Sequence, residues 1–313
     1  MIEKQRVETV WTNRPNFKHI QGQQQMERKR MLAMDAMSAA LQLRQSEGFG
    51  LWVPVCPYDL AEKLNVEVRF IDLPSMEGMY SKDSKPIILI SSLRPAGRQA
   101  FTCTHELGHH VFKHGTHVDE VINPQLARSQ SDDKEFLANC FAGFLLMPKS
   151  AVNQAFATRG WDIRSCTPLQ LYTIAGWFGV GYATLIHHLS STLKLLPQAS
   201  ANSLKKVSPK DIRLKYLDKE MNGDLILVDA HWSERAIDIQ VGDYVHLPVN
   251  SVIERECVRF QEQDEKGSLF CAVAPGIGRF YQPDTGWSAF VRVSRREYIG
   301  RNMFRHLEDS DDD

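Results

Sequence analysis

The chain has 313 residues, 43% of them hydrophobic and 24% charged, so it has enough apolar side chains to bury a core and is not disordered as a whole. Its 37 basic and 38 acidic residues give a net charge of −1 with histidine neutral, a balance that does not predict nucleic-acid binding. The sequence contains neither an uninterrupted run of about 18 apolar residues nor an apolar N-terminal core, so we expect no membrane span and no secretory signal.

The six cysteines are scattered along the chain, and none belongs to a Cys-x-x-Cys pair. This spacing fits neither a disulfide framework nor a zinc site with cysteine ligands. We therefore expect free thiols and a cytoplasmic protein.

The first predicted element is a long helix. Residues 1–25 are polar, and we expect a flexible lead-in there. The segment 26–45 contains strong helix formers, and its apolar residues are three and four positions apart, which predicts an amphipathic helix. Its methionines Met31, Met34 and Met37 are expected to fill the core rather than to bind a ligand.

Strands and helices then alternate up to about residue 195. A short helix is predicted after Pro57, and the apolar runs at 66–71 and 86–90 predict strands. Further helices are predicted at about 94–114, 131–147, 149–158, 168–178 and 182–192. The last two have the spacing of a helix-turn-helix, but the second lacks Lys and Arg, so we expect packing or substrate contact there and not DNA binding.

The remainder of the chain is predicted to be rich in strands. Short apolar runs occur at 225–228, 243–247, 252–260, 268–273 and 289–293. We therefore predict an α+β fold. Its parts are a helical domain with a small mixed sheet at 26–195, a β-rich accessory domain at 196–305 and an acidic tail at 306–313. Two roles stay open for the accessory domain, a sensor or substrate-docking module and a stabilising appendage.

A His-Glu-x-x-His motif, formed by His105, Glu106 and His109, lies in the helix predicted at 94–114. On a helix of 3.6 residues per turn, a spacing of four places the two histidines on one face, where two imidazoles can hold one Zn²⁺. Glu106 lies next to the first ligand and can act as general base toward a water molecule whose pKa the metal lowers to about 7. These residue types at this spacing are those that metal-assisted hydrolysis of an amide bond requires.

A catalytic zinc ion needs a third protein ligand. His114 follows His109 by five residues and would lie on another face of the helix, so it is not expected to bind the metal. Glu135, near the start of the next helix, is the better candidate, and the alternative is an exposed glutamate that stabilises the helix dipole. Asn139 lies one turn beyond Glu135, where it could orient a ligand histidine through the free ring nitrogen.

Other polar side chains near the motif are expected to be structural. We predict exposed positions at the end of the helix for His110, His114 and His117. The candidates for stabilising an oxyanion, each expected to be structural instead, are Tyr172, Tyr182, His187 and His188.

Two linked motifs resemble the ImmA/IrrE family of bacterial metallopeptidases. The sequence His-Glu-Leu-Gly-His-His begins at His105, Glu-x-x-Ala-Asn-x-Phe-Ala begins at Glu135, and Leu-Leu-Met-Pro ends at Pro148. The resemblance extends over roughly residues 30–190. At Leu137 the sequence departs from many members of the family, which have a second glutamate there.

The resemblance implies a zinc-dependent endopeptidase core with His105, His109 and Glu135 as ligands and Glu106 as the general base. It also implies a substrate class, cytoplasmic transcriptional repressors with a helix-turn-helix, whose cleavage changes gene expression. The alternative is a non-catalytic regulator that keeps the metallopeptidase shape and binds a repressor or antitoxin without cutting it. A set of two histidines and one glutamate favours Zn²⁺, although Mn²⁺ or Co²⁺ can occupy such a site.

Overall fold

Helices dominate the first two thirds of the described chain; the computed structural model describes residues 17–82, 85–120, 133–233 and 235–307. The α-helices are α1 (Phe17–Ser46), α2 (Pro57–Lys63), α3 (Ala96–Val111), α4 (Asp133–Leu146), α5 (Lys149–Thr158), α6 (Pro168–Phe178), α7 (Tyr182–His187), α8 (Gln198–Leu204) and α9 (Pro209–Leu217). A π-helical turn continues α7 over His188–Thr192.

The strands belong to three sheets. They are β1 (Glu67–Ile71), β2 (Met76–Ser81), β3 (Ile87–Ser91), β4 (His117–Glu120), β5 (Leu225–Leu227), β6 (Ile237–Gln240), β7 (Tyr244–Leu247), β8 (Val252–Ile253), β9 (Val258–Gln263), β10 (Ser268–Ala272), β11 (Gly276–Tyr281), β12 (Ser288–Ser294) and β13 (Gly300–Arg301). Helices with one small mixed sheet are followed by a β-rich region, so the predicted α+β fold is confirmed.

Helix α1 begins earlier than predicted and presents its methionines to solvent. It starts at Phe17, inside the segment predicted as a flexible lead-in, because its glutamines are good helix formers. Residues 1–16 lie outside the described residues. Met31 and Met34 are 60% and 56% exposed, so the prediction that these methionines fill the core was wrong. Among the described residues, no helix combines the length and the apolar character that a membrane span needs.

The first sheet lies beside helix α3 and has the strand order β13–β1–β3–β2–β4. Strands β1 and β3 are parallel, and the other pairs are antiparallel. Strand β3, which directly precedes α3, is therefore the central strand of this sheet. Strand β4 pairs with β2 and forms one edge of the sheet.

A buried arginine ties the long helix to α4. The guanidinium of Arg44 is buried and donates hydrogen bonds to the carbonyl oxygens of Leu145, at 2.6 Å, and of Gly50 and Val53. Burial lowers the pKa of Arg44 to about 10. Because three carbonyls accept hydrogen bonds from the two terminal nitrogens of the buried guanidinium, α1 and the end of α4 form one support for the site described below.

The C-terminal strands form two four-stranded sheets, β5–β7–β10–β9 and β6–β12–β11–β8. Phe270 of β10 contacts Phe280 of β11 with ring centroids 5.1 Å apart, which joins the two sheets. One continuous apolar cluster includes these strands and helices α5 to α9.

The end of the chain returns to the first sheet. Strand β13 pairs with β1, with Gly300 opposite Phe70. Arg292 of β12 donates to the carboxylate of Asp59 in α2 at 2.9 Å. The β-rich region thus completes the first sheet, while the domain division near residue 195 stays a prediction.

Candidate metal centre

Helix α3 places two imidazoles side by side. His105 and His109 are 4% and 0% exposed, and their Nε2 atoms lie 3.0 Å apart. The helix begins directly after Pro95, whose fixed φ suits a helix start. It therefore continues without interruption through both residues, one turn apart on the buried face.

A glycine allows α4 to approach α3 closely. A Cβ atom at Gly108 would lie 3.1 Å from the Cα atom and 3.3 Å from the Cβ atom of Ala138. Such separations are tighter than ordinary van der Waals contact, so any larger side chain here would push the two helices apart. Because Glu135 lies one turn before Ala138 on α4, this approach brings its carboxylate to the histidines.

The carboxylate of Glu135 completes a set of three donors. Its Oε2 atom is 3.3 Å from Nε2 of His105, and its Oε1 atom is 3.3 Å from Nε2 of His109. Four-coordinate zinc with bonds of about 2.0–2.2 Å keeps its ligand atoms roughly 3.3–3.6 Å apart. Two imidazole nitrogens and a carboxylate at these separations are therefore a donor set that fits Zn²⁺.

Glu106 lies between α3 and the sheet. Its side chain is fully buried, and β2 passes close to it at Gly78. A Cβ atom at Gly78 would lie 2.8 Å from Oε1 of Glu106 and 2.4 Å from Cγ2 of Thr102. The glycine thus leaves room for the carboxylate against the strand, next in sequence to the first candidate ligand.

A third histidine contacts the metal centre from outside the helix. Nδ1 of His114 lies 3.1 Å from Nδ1 of His109, and the two rings meet edge to face with centroids 5.0 Å apart. The chain turns back after α3 because Lys113 and Gly115 have φ values of 56° and 86°. The exposed position predicted for His114 was therefore wrong. An imidazole that holds Nδ1 of His109 fixes its tautomer and directs Nε2 toward Glu135.

The neighbouring His110 is also partnered. Its Nδ1 atom lies 2.8 Å from the hydroxyl of Tyr80, a residue of β2. Burial lowers the pKa of His110, and the charge of Lys82 lowers it further. His110 therefore joins the end of α3 to the sheet, whereas an exposed position was predicted.

Asn139 lies elsewhere than predicted. It is exposed, and the hydrogen bonds of the described residues include none between its amide and His105 or His109. The reason is its position on α4, where it borders a groove that is also lined by α1. The contact expected from Asn139 is made instead by His114.

Two of the remaining candidates, Tyr172 and Tyr182, have structural hydrogen bonds. The hydroxyls of Tyr172 and Tyr182 donate to the carbonyls of Leu225, at 2.5 Å, and Leu204, at 3.0 Å. Burial raises the pKa of each tyrosine to about 12. A half-buried phenol at Tyr172 and a buried one at Tyr182, each with a carbonyl partner, are in agreement with the structural roles predicted for them.

The candidate metal centre lies in a segment that matches a family model. The model of the IrrE N-terminal-like domain, Peptidase_M78, matches residues 61–190, which include all three candidate ligands and Glu106. Among solved structures, a Mycobacterium tuberculosis transcriptional regulator is similar over 50% of this chain, with 21% identity and a TM-score of 0.34. The chain covers 46% of that protein. No curated protein matches this chain.

Proposed function

We propose that this chain, whose residues 61–190 match the model of the IrrE N-terminal-like domain, Peptidase_M78, is a zinc-dependent endopeptidase. The observation that carries the proposal is the convergence of three donors, on His105, His109 and Glu135, within 4.8 Å of one another. Closed structural zinc sites use four protein ligands, whereas three ligands leave a position for water or substrate, as catalytic sites do.

Each residue of the centre has a role in this proposal. His105, His109 and Glu135 would hold the metal, and His114 would keep the ring of His109 in place. Bound zinc would supply a Lewis acid, which polarises a substrate carbonyl and makes water more acidic. Glu106 would take the proton from the attacking water and deliver it to the departing amine nitrogen.

The proposed substrates are cytoplasmic proteins, in the first place a helix-turn-helix transcriptional repressor whose cleavage would change gene expression. This class follows from the family resemblance of the two motifs. The proposed cytoplasmic location is supported by the six cysteines, all of which are free thiols in the structure. Free thiols are typical of a reducing compartment.

The test uses the full chain loaded with zinc and its Glu106→Gln variant. The variant should bind zinc as tightly as the wild type, because the amide is not among the three donors. It should cut protein substrates about 10²–10⁴-fold more slowly, since it lacks the base. Zinc content is measured by atomic emission, and cleavage by mass spectrometry of peptides released from a cell extract. Glu62→Gln, at an exposed site on α2, is the matched control and should leave both values unchanged.

The same experiment separates the enzyme from a non-catalytic regulator. If the Glu106→Gln protein retains a partner from the extract and the wild type cuts that partner, the endopeptidase is supported. If both proteins retain the partner intact with zinc bound, the chain is a binding protein of metallopeptidase shape. A Glu106→Gln protein that cuts as fast as the wild type would exclude Glu106 as the base.

A further inference from the structure

A groove of about 1270 Å³ lies between α1, α4 and α7, close to the metal centre. Phe101 and Asn139 line it, and they lie one helical turn from His105 and Glu135, respectively. The side chain of Glu135 is 33% exposed, against 5% for His105, so the centre opens toward the start of α4. None of the three candidate ligands lines the groove, but Phe136, which does, directly follows Glu135 in α4, so a polypeptide that extends beyond the groove would reach the proposed site of cleavage.

The walls of the groove are largely apolar. They include Phe136 and Phe144 of α4, Met26 and Ala33 of α1, and Ala183 of α7. Pockets for small molecules have volumes of roughly 300–1,000 Å³. The larger volume here suits a segment of polypeptide with at least one large apolar side chain.

The lining of the groove includes a buried imidazole. The ring of His188 is 3% exposed, and its Nε2 atom lies 2.9 Å from the carbonyl oxygen of Met147. A carbonyl can only accept, so Nε2 carries the hydrogen. Burial lowers the pKa of His188 to about 4, so the ring is neutral and its Nδ1 atom has a free electron pair.

Nδ1 of His188 faces Gly143, which lines the same groove. A Cβ atom at Gly143 would lie only 2.7 Å from this nitrogen, so the ring packs against the glycine backbone and a larger residue there would displace it from the groove. Among the hydrogen bonds of the described chain, none is donated to Nδ1. A backbone N–H of a bound polypeptide is a suitable donor for it.

The rim of the groove has an excess of positive charge. Lys29, Arg30 and Lys194 line it, and among the described residues that line it the one acidic side chain is that of Glu27. Lys29 lies over the ring of Phe136, 5.5 Å from its centroid. Within the part of the chain that the structure describes, the salt bridges include neither Arg30 nor Lys194. Exposed cations without carboxylate partners favour an acidic occupant.

We propose that this groove binds the substrate segment next to the scissile bond and selects a large apolar residue flanked by Asp or Glu. The apolar side chain packs between α1, α4 and α7, and a backbone N–H donates to Nδ1 of His188. Arg30 and Lys194 pair with the flanking carboxylates. The inference rests on the proposed endopeptidase function, and it adds the residues that determine which sequences are bound.

The decisive measurement is binding, which does not depend on cleavage. Zinc-loaded Glu106→Gln protein is mixed with random peptides of 12 residues, and the retained peptides are sequenced by mass spectrometry. Asp and Glu next to large apolar residues should be enriched. Adding Arg30→Glu and Lys194→Glu should reduce that acidic enrichment about tenfold. Adding Ala183→Trp, which fills the groove from an exposed position, should remove the apolar preference.

The control is Lys215→Glu, the same charge change at an exposed site on α9, and it should leave the retained sequences unchanged. Retained peptides without an acidic or apolar preference, or an enrichment that survives all the groove variants, would overturn the proposal.

Cleavage of the same peptides by wild-type protein then tests the two proposals separately. Products with the same sequence preference support both. Retention of acidic, apolar peptides by a wild type that cuts none of them would support the groove and contradict the endopeptidase. Products without that preference, equally abundant when Arg30→Glu and Lys194→Glu are introduced into the protein that retains Glu106, would contradict the groove and support the endopeptidase.

Discussion

Two clusters of buried polar side chains balance their charges in different ways. In the β-rich region, the carboxylate of Asp238 accepts hydrogen bonds from Arg292 at 2.7 and 2.9 Å and from Arg305 at 3.2 Å. In the metal centre, the Nε2 atoms of two histidines and the carboxylate of Glu135 face one another at 3.0–3.3 Å. The first cluster pairs opposite charges. The second brings together groups that donate electron pairs when the histidines are neutral, as a metal site does.

This difference separates a structural cluster from a binding site. Burial alone would raise the pKa of Asp238, but the charges of Arg292 and Arg305 lower it well below its ordinary value. The ionised carboxylate joins β6 to β12, and Arg292 extends the cluster to Asp59 in α2. Changes in the first cluster should therefore act on stability, and changes in the second on metal affinity.

The largest effect on stability is expected from Asp238→Asn. The substitution leaves two largely buried guanidinium groups without their shared carboxylate, which should lower the free energy of unfolding by about 3–5 kcal/mol. Zinc affinity should not change. Urea unfolding followed by circular dichroism measures the first value, and Asp284→Asn at an exposed turn is the control. A loss of less than about 1 kcal/mol would contradict the structural role of the cluster.

Lowering the pH should remove the stabilisation that the Asp238 carboxylate contributes. Because the folded-state pKa of Asp238 is below the unfolded value of about 3.8, its stabilisation is fully present above that pH. It should decrease as the pH falls from about 4 toward the folded pKa. Unfolding midpoints between pH 7 and pH 3 should therefore converge for wild type and Asp238→Asn, and parallel curves would contradict the assignment.

The next largest effect is expected from Glu135→Gln on zinc binding. Removing a residue that only orients a ligand weakens metal affinity by up to about 100-fold. Losing one of the three ligands themselves should weaken zinc affinity by more than that. Competition with a chromophoric chelator measures it. Asp133→Asn, in the same first turn of α4, is the control and should change affinity little. If both variants bind zinc equally well, Glu135 is not a ligand, and the alternative role, a glutamate that stabilises the helix dipole, is supported.

The sequence predicts the residues of this centre because their signals are local. His105 and His109 follow the period of a helix, and Glu135 is close to the small Ala138 on one face of the next helix. The long helices and most apolar strands are likewise predicted, since each repeats a simple pattern over many residues.

The contact from His114 could not be predicted from a helical period. The chain leaves helical geometry after Val111, and the φ of 56° at Lys113 returns His114 to the ring of His109. Gly115 was the available signal, because a glycine after a helix often marks such a reversal. Strand β13 has only two residues and pairs with the distant β1, so no local pattern identifies it.

A smaller effect on zinc affinity is expected from His114→Ala. Outer partners of ligand histidines contribute about 10–100-fold to affinity or activity, and the loss should lie in that range. His114→Asn should recover part of it, since its carbonyl oxygen can accept from Nδ1 of His109. The exposed His231→Ala is the control. If His114→Ala binds zinc as tightly as the wild type, His114 does not orient His109. The same conclusion follows if His114→Asn loses as much zinc affinity as His114→Ala.

The smallest effect is expected from Gly108→Ala, which tests how the two helices set the centre. The added methyl would lie 3.1 Å from the Cα atom of Ala138, so α4 must shift by a few tenths of an ångström. That shift moves Glu135 relative to both histidines and should weaken zinc binding several-fold, with a loss of about 1–3 kcal/mol in stability.

Gly176→Ala is the matched control for this prediction. It makes the same change inside α6, where the nearest atom to the new methyl is 3.9 Å away, so it should be neutral or stabilise by up to about 1 kcal/mol. If Gly108→Ala weakens zinc binding and Gly176→Ala does not, the separation of α3 and α4 determines the affinity of the centre. If Gly108→Ala binds zinc as the wild type does, the side chain of Glu135 adjusts to the shift, and the close approach of the helices serves packing alone.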